Sequence, residues 1–95
     1  MRRGFIVSYD VSDPRRLQRV RRVLVGFGDP LQLSVFYCEL TASEMVILRD
    51  RLSEVIHAGE DQVLFADLGG VEHACEAVTT LGRARESVER SAIVV

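Results

Sequence analysis

Asp10 is the residue of this sequence whose type and position best suit chemistry. It follows Tyr9 at the end of an apolar, β-branched segment, GFIVSYD at residues 4–10, which predicts a strand. A carboxylate at a strand end lies at the rim of a sheet, where it can bind Mg²⁺ or Mn²⁺ together with water and a substrate phosphate. One carboxylate is too few for a tight site, so we expect two copies of the chain to contribute Asp10 across a two-fold axis. The alternative is that Asp10 only caps a turn or the next helix.

A basic helix face is the second candidate feature. The segment 14–28 contains five arginines and no acidic residue. At about 100° per residue, Arg15, Arg19 and Arg22 lie within an arc of about 60° opposite the apolar stripe, and Arg16 lies outside that arc. Guanidinium groups bind phosphate oxygens in bidentate fashion, so we predict that these four residues bind a nucleic-acid backbone. A solvated polar face is the alternative, although such a face normally carries both signs of charge.

The net charge of −2 conceals an uneven distribution of charge along the chain. Residues 1–30 carry seven arginines and three acidic residues, whereas residues 31–95 carry five arginines and eleven acidic residues. The first segment therefore has a net charge of +4 and the second a net charge of −6. A basic patch on an otherwise acidic protein favours a local anionic partner.

Composition disfavours several other classes of site and location. Cys38 and Cys75 have no CxxC spacing, which indicates free thiols in a reducing compartment. His57 and His73 are isolated, so ordinary surface histidines fit better than a general base. No apolar run approaches the ~18 residues of a membrane span, and the apolar stretch that Asp10 ends is too short for a secretion signal. We therefore predict a cytoplasmic protein with no membrane partner.

Two helices should position these residues. Asp13 followed by Pro14 is a helix-start signal, and the pattern predicts a helix that runs to about Phe27. The capping box at residues 41–44 opens a second helix, which should run to about His57. The apolar stripes that should face the core are Leu17, Val20, Val23, Leu24 and Phe27 in the first helix and Met45, Leu48, Leu52, Val55 and Ile56 in the second.

The remaining segments complete an α+β pattern. Residues 31–40 predict either one bent strand or two short strands with a tight turn, and residues 62–68 predict a strand. Residues 71–81 suit either a helix or a short strand. The order β-α-β(β)-α-β-(β) is the split βαβ pattern of a ferredoxin-like sandwich, with helices on one face of the sheet.

The chain end suggests how two copies pair. Residues 1–82 form one predicted domain, and residues 83–95 form a tail. The tail ends in SAIVV at residues 91–95, and an apolar, β-branched chain end predicts a strand added to the edge of the partner's sheet. A domain this small also gains stability from pairing with a second copy.

Two motifs in this order resemble the CRISPR-associated protein 2 family. They are IVSYDVSD at residues 6–13, followed by the Arg-rich helix, and QLSVF at residues 32–36, followed by Glu39 and Leu40. About twenty-two residues separate the YD pair from QLSVF, as in the family. The resemblance covers roughly residues 4–82.

This resemblance implies a ferredoxin-like homodimer whose tail strands pair with the partner's sheet. It implies a role in acquiring CRISPR spacers, as the central dimer of a complex with the CRISPR-associated protein 1 integrase. It also implies metal-dependent nuclease activity on single-stranded RNA or double-stranded DNA. By position, Asp10 matches the family's metal-linked catalytic residue, and Tyr9, Arg19 and Phe36 match other positions linked to activity. Ser34, in the second motif, is a further supporting residue.

The sequence therefore predicts a homodimer that binds nucleic-acid backbones and hydrolyses phosphodiester bonds with Mg²⁺ or Mn²⁺ at Asp10. The principal rival is a non-catalytic scaffold that bridges integrase modules on DNA, in which Asp10 only caps a turn. A regulatory domain that binds a small metabolite is a more distant rival. The Arg-only helix face disfavours it.

Overall fold

A computed structural model of the chain describes residues 1–83, which form four strands and two long helices. The elements are β1 (Arg3–Asp10), α1 (Pro14–Val25), β2 (Gly28–Gln32), β3 (Val35–Leu40), α2 (Ala42–Val55), β4 (Gln62–Gly70), α3 (Val71–Ala74) and a 3-10 turn at Cys75–Ala77. The strands lie in the order β2-β3-β1-β4 and all neighbours are antiparallel. This arrangement confirms the predicted ferredoxin-like α+β fold.

Strand β1 lies in the interior of the sheet, between β3 and β4. Val7, at its centre, is opposite Phe36 of β3 and Phe65 of β4. The segment 31–40 contains parts of two strands and not one bent strand, because Leu33 and Ser34 form the turn between β2 and β3. That turn lies beside the end of β1, so the two motifs of the sequence meet in space.

Helix α1 begins as the sequence predicts. The Asp13 side chain accepts a hydrogen bond from the backbone N–H of Arg16 (3.0 Å), and Pro14 occupies the first turn. The helix ends at Val25, two residues before the predicted end, because Phe27 already belongs to the turn that leads into β2. Arg15, Arg19, Arg21 and Arg22 of α1 are exposed, and Arg21 lies over the ring of Phe36.

Helix α2 opens with the predicted capping box. The backbone N–H of Glu44 donates to Thr41 Oγ1 (3.2 Å), and the backbone N–H of Thr41 donates to Glu44 Oε1 (2.9 Å). The Thr41 N–H, together with the guanidinium of Arg2, lowers the pKa of the Glu44 carboxyl. The helix ends at Val55, where Ile56 adopts an extended backbone, two residues before the predicted end at His57.

Both helices pack on the same face of the sheet. Leu24 of α1 and Leu48 of α2 are fully buried in one hydrophobic cluster with Phe36 of β3. Cys38 lies in this core, and burial raises the pKa of its thiol to about 12. The cysteines of the described chain are free, as predicted, and the pKa of Cys38 makes its thiol inert at neutral pH. The other buried core residues are Val7, Tyr9, Val11, Val20, Leu40 and Leu52.

The opposite face of the sheet is covered by Ala74 of α3 near Gly4, and it is partly exposed toward the Asp10 end within the described chain. Because Val7 and Tyr9 point into the core, the alternation of a strand places Ile6, Ser8 and Asp10 on this opposite side. Ser8 is flanked there by Val35 of β3 and Leu64 of β4, and Leu64 is 52% exposed. We call this surface, made of Ile6, Ser8, Val35, Leu64 and Ala66, the open face.

Residues 71–81 begin with a helix and contain no strand. Helix α3 and the 3-10 turn occupy residues 71–77, and Ala74 packs so closely over Gly4 that any side chain at Gly4 would collide with it. The tail strand predicted at residues 91–95 lies outside the described residues, as does nearly all of the predicted tail. Within residues 1–83, no helix is long and apolar enough to cross a membrane.

Candidate functional site

Asp10 is the last residue of β1, at one end of the strands, and three residues separate it from Pro14, where α1 begins. It is opposite Gln62, the first residue of β4, and its side chain is exposed. Within residues 1–83 its carboxylate has no hydrogen bond or ion pair. The cap of α1 is Asp13, so the described structure gives Asp10 no helix-capping role. Within the described chain, the Asp10 carboxylate is therefore available to an external cation.

Tyr9 holds the end of β1 in place. Its hydroxyl donates to the backbone carbonyl of Leu33 (3.0 Å), and its backbone N–H donates to the carbonyl of Ser34 (3.1 Å). Its ring is buried 6.3 Å from the ring of Phe36. The predicted supporting residues Tyr9, Ser34 and Phe36 therefore lie together beside Asp10, with Ser34 and Phe36 in contact with Tyr9. These contacts hold the end of the strand that carries Asp10 in position.

Within the described part of one chain, the donor set around Asp10 consists of a single free carboxylate. No group of three His, Cys, Asp or Glu side chains suitable for a metal occurs in the part of the chain that the structure describes. Asp13 caps α1, and Asp61, which precedes Gln62, forms an ion pair with Arg16. Mg²⁺ and Mn²⁺ prefer such oxygen ligands and accept one or two carboxylates completed by water and phosphate. Asp10 is therefore suited to be one carboxylate ligand of such a cation.

Arg16 and Asp61 form an ion pair beside this end of the strands. Arg16 Nε donates to Asp61 Oδ2 (2.7 Å), and Arg16 Nη2 donates to Asp61 Oδ1 (3.2 Å) and to Glu60 Oε1 (3.1 Å). The Asp61 side chain is fully buried and also accepts from the backbone N–H of His57 (2.8 Å). The hydrogen bond from Arg16, followed by that from His57, lowers the pKa of Asp61. Arg16 is therefore committed to the fold, and we do not include it among the proposed phosphate contacts.

Replacing Asp61 with Ala should destabilise the protein. The substitution leaves Arg16, whose side chain is only 23% exposed, without its main partner, so we expect the melting temperature at pH 7 to fall by more than about 10 °C. Glu60→Gln is the matched control, because it removes only an exposed contact to the same arginine, and it should shift the melting temperature by less than about 4 °C.

The ion pair between Arg16 and Asp61 should make the stability of the fold depend on pH. The folded protein holds the pKa of Asp61 below its ordinary value of 3.8, so this carboxylate stabilises the fold above that pH. Its contribution disappears as the pH falls through the depressed pKa. Thermal melts between pH 7 and pH 3 should therefore show a smaller loss of stability for Asp61→Ala than for the wild type. An equal loss in both proteins would contradict this role for Asp61.

Ion pairs neutralise much of the basic N-terminal segment. Arg2 pairs with Glu44 (2.7 Å), and Arg3 pairs with Asp67 (3.0 Å). The exposed guanidinium groups of Arg15, Arg19 and Arg22 have no ion pair within residues 1–83. These three residues, predicted from their spacing on the helix, are therefore available to an external anion. Asp61 was not predicted, because its partner lies 45 residues away in the sequence and no local pattern marks it.

Comparisons with known proteins agree with this geometry. Residues 3–73 match the family model described as CRISPR associated protein Cas2. A protein of Rhodospirillum rubrum named CRISPR-associated endoribonuclease Cas2 1 is 37% identical over 97% of this chain and 90% of its own length. A protein of Geobacter sulfurreducens named CRISPR-associated endoribonuclease Cas2 is 36% identical over 96% of each chain.

Solved structures give the same result for the fold. The crystal structure of Cas2 from Streptococcus pyogenes superimposes with a TM-score of 0.75 at 34% identity, covering 83% of this chain and 99% of that one. A hypothetical protein from Thermus thermophilus gives a TM-score of 0.74 at 30% identity, covering 90% and 100% of the two chains. The sequence match extends across all four strands and both long helices. The chain therefore belongs to the CRISPR-associated protein Cas2 family.

Proposed function

We propose that the protein is a homodimeric, metal-dependent endonuclease of a CRISPR system that hydrolyses phosphodiester bonds in RNA or duplex DNA. The observation that carries the proposal is the exposed carboxylate of Asp10, which has no partner within residues 1–83 and lies just before an Arg-rich helix. The names of the relatives from Rhodospirillum rubrum and Geobacter sulfurreducens, both endoribonucleases, support a nuclease role.

Asp10 of each copy would hold the divalent cation, Mg²⁺ or Mn²⁺. When bound, such a cation supplies an activated water and offsets the charge that develops on the scissile phosphate. The residues of the chain itself bind and orient the substrate. Tyr9 fixes the strand end that carries Asp10 through its bonds to Leu33 and Ser34. Arg15, at the start of α1, is the phosphate contact nearest to Asp10 along the sequence.

The arginines of α1 would bind the backbone and not the bases. From Arg15 to Arg22 the helix axis advances by about 10 Å, which is roughly three base-pair steps of 3.4 Å along the axis of B-form DNA. Contacts of this kind fix the position of a nucleic acid without reading its sequence. We therefore expect little base preference from this surface.

We propose that the second copy covers the open face. Ile6, Val35 and Leu64 lie on this surface and present apolar side chains beside Asp10, so pairing of two open faces would bury them and bring two Asp10 residues to one side. The predicted exchange of the tail strand at residues 91–95 would add backbone hydrogen bonds to the same dimer. The proposed dimer thus supplies both the stability and the second carboxylate.

Leu64→Glu tests this interface. A buried, unpaired charge on the open face should raise the dissociation constant of the dimer by at least about 100-fold, which sedimentation velocity at micromolar concentrations can measure. Val46→Glu is the matched control, because Val46 is 67% exposed on α2, on the helix side of the sheet. A Leu64→Glu protein that sediments as a dimer of unchanged affinity would contradict the proposed interface.

A non-catalytic scaffold is the second candidate function. The observation that favours it is that one chain supplies only one free carboxylate around Asp10 within residues 1–83. In that case the dimer would bridge modules of the CRISPR-associated protein 1 integrase on DNA during spacer acquisition. Incubation of labelled single-stranded RNA and labelled duplex DNA with the purified protein separates the two functions. The nuclease requires Mg²⁺-dependent product that EDTA abolishes, and the scaffold predicts binding without product.

A further inference from the structure

A groove opens at the surface between α1 and α2 and has a volume of about 370 Å³. Two arginines of α1 and one arginine of α2 line it, and two valines give it an apolar floor. Among residues 1–83, no acidic side chain lines the groove. The lining residues are Arg19, Arg22, Val23 and Gly26 from α1 and its C-terminal cap, and Arg51 and Val55 from α2.

The three guanidinium groups of this groove are unpaired within the described chain. Arg19, Arg22 and Arg51 form no ion pair with any of residues 1–83. By contrast, Arg2 and Arg16 each bind a carboxylate. Three like charges in a small space repel one another, and an apolar floor strengthens every electrostatic interaction above it. The positive charge of the groove therefore favours the binding of an anion.

Arg51 is held in position by an aromatic ring. Its Cζ lies 5.6 Å from the centroid of Phe27, and Phe27 in turn packs against the core. This support lowers the entropy that the side chain loses when it binds a ligand. The partial negative charge of about half a unit at the C-terminal end of α1 opposes an anion near Gly26, but it is small beside three full positive charges.

We propose that this groove binds a backbone phosphate of the nucleic acid, with Arg51 of α2 completing a contact begun by Arg19 and Arg22 of α1. The inference rests on the proposed function, because it takes the ligand to be a nucleic-acid strand. The nucleic-acid strand would run from Asp10 along the arginines of α1, and its last contact would be the phosphate bound in the groove. Fork-shaped guanidinium groups from two helices suit the non-bridging oxygens of one phosphodiester.

Arg51→Gln tests the groove by the salt dependence of binding. Fluorescence anisotropy is measured on labelled duplex DNA and on labelled single-stranded RNA between 50 and 200 mM NaCl, with EDTA present so that cleavage plays no part. We expect the slope of log affinity against log salt to become shallower by about 0.9 on duplex DNA and about 0.7 on RNA. On duplex DNA, the affinity of the variant should therefore fall about 3.5-fold less than that of the wild type across this range.

Two further variants and one measurement separate a loss of phosphate binding from a loss of protein stability. Arg49→Gln removes a charge two residues away that lies over Phe65, outside the groove, and should leave the slope unchanged. Arg51→Lys keeps the charge and should retain most of the slope. Melting temperatures of all variants report any loss of the contact between Arg51 and Phe27.

The outcomes distinguish this inference from the proposed function. A wild-type slope in Arg51→Gln, with a reduced slope in the triple Arg→Gln variant of Arg15, Arg19 and Arg22, would overturn the groove and leave the nucleic-acid function standing. Unchanged slopes in both variants would overturn both. An equal reduction in Arg49→Gln and Arg51→Gln would also overturn the groove, because it would show a diffuse charge effect. A lower melting temperature in Arg51→Gln with an unchanged slope would assign Arg51 a structural role alone.

Discussion

Asp10→Asn is expected to reduce Mg²⁺-dependent cleavage of RNA or duplex DNA by more than about 100-fold. Loss of a side chain that only supports a metal ligand already costs roughly 10–100-fold, and Asp10 is proposed as the ligand itself. The substitution keeps the shape of the side chain and removes the negative charge that a hard cation requires. Because Asp10 is exposed and has no partner within residues 1–83, the melting temperature in metal-free buffer should stay within about 4 °C of the wild type.

Asp13→Asn provides the matched control for this experiment. Asp13 lies three residues from Asp10 and caps α1, and Asn is nearly as good a helix cap as Asp. The control should therefore cleave at close to the wild-type rate and melt at nearly the same temperature. Cleavage by Asp10→Asn at the wild-type rate would remove Asp10 from the mechanism and favour the scaffold.

Replacing Arg15, Arg19 and Arg22 together with Gln is expected to weaken binding of duplex DNA and reduce its salt dependence. Each lost phosphate contact should make the slope of log affinity against log salt shallower by about 0.9, so the triple variant should lose about 2.7. Between 50 and 200 mM NaCl, this is a difference of roughly 40-fold in how far the affinity falls. The effect should be similar for DNA duplexes of different sequence, because these contacts do not read bases.

Arg21→Gln is the control on the same helix. Arg21 lies off the arc of the other three and its Cζ is 5.6 Å from the ring centroid of Phe36, so we expect a slope close to that of the wild type. An unchanged slope in the triple variant would mean that the Arg face of α1 is merely solvated. The phosphate contacts would then have to lie elsewhere.

Local signals in the sequence predicted the helices and the strand that carries the site. Asp13 with Pro14, and the capping box that begins at Thr41, place their helix starts correctly because a cap and its partner lie within one turn. The end of β1 at Asp10 is correct for a similar reason, since an apolar β-branched run stops there.

Contacts between distant segments decided what the sequence could not. The two-strand arrangement of residues 28–40 depends on the turn that receives hydrogen bonds from Tyr9, a residue 24 positions before Leu33. Residues 71–77 are helical where Ala74 packs over Gly4, whereas the sequence of residues 71–81 alone suits either a helix or a short strand.

The groove between the helices was hidden in the sequence for the same reason. Arg51 is one of two arginines on α2 and has no distinguishing local pattern. Its position beside Arg19 and Arg22 appears only when α1 and α2 pack together. The spacing of charges along α1 could therefore predict Arg19 and Arg22 as part of this groove, but it could not predict Arg51.

Two Asp10 carboxylates, one from each copy, are proposed to hold one divalent cation. Titration with Mn²⁺, followed by the electron paramagnetic resonance signal of the unbound ion, measures this directly on wild type and Asp10→Asn at equal protein concentration. We expect one Mn²⁺ per two wild-type chains, displaced by excess Mg²⁺, and no such uptake by Asp10→Asn. Uptake of Mn²⁺ by Asp10→Asn equal to that of the wild type, or no uptake by either protein, would contradict the claim.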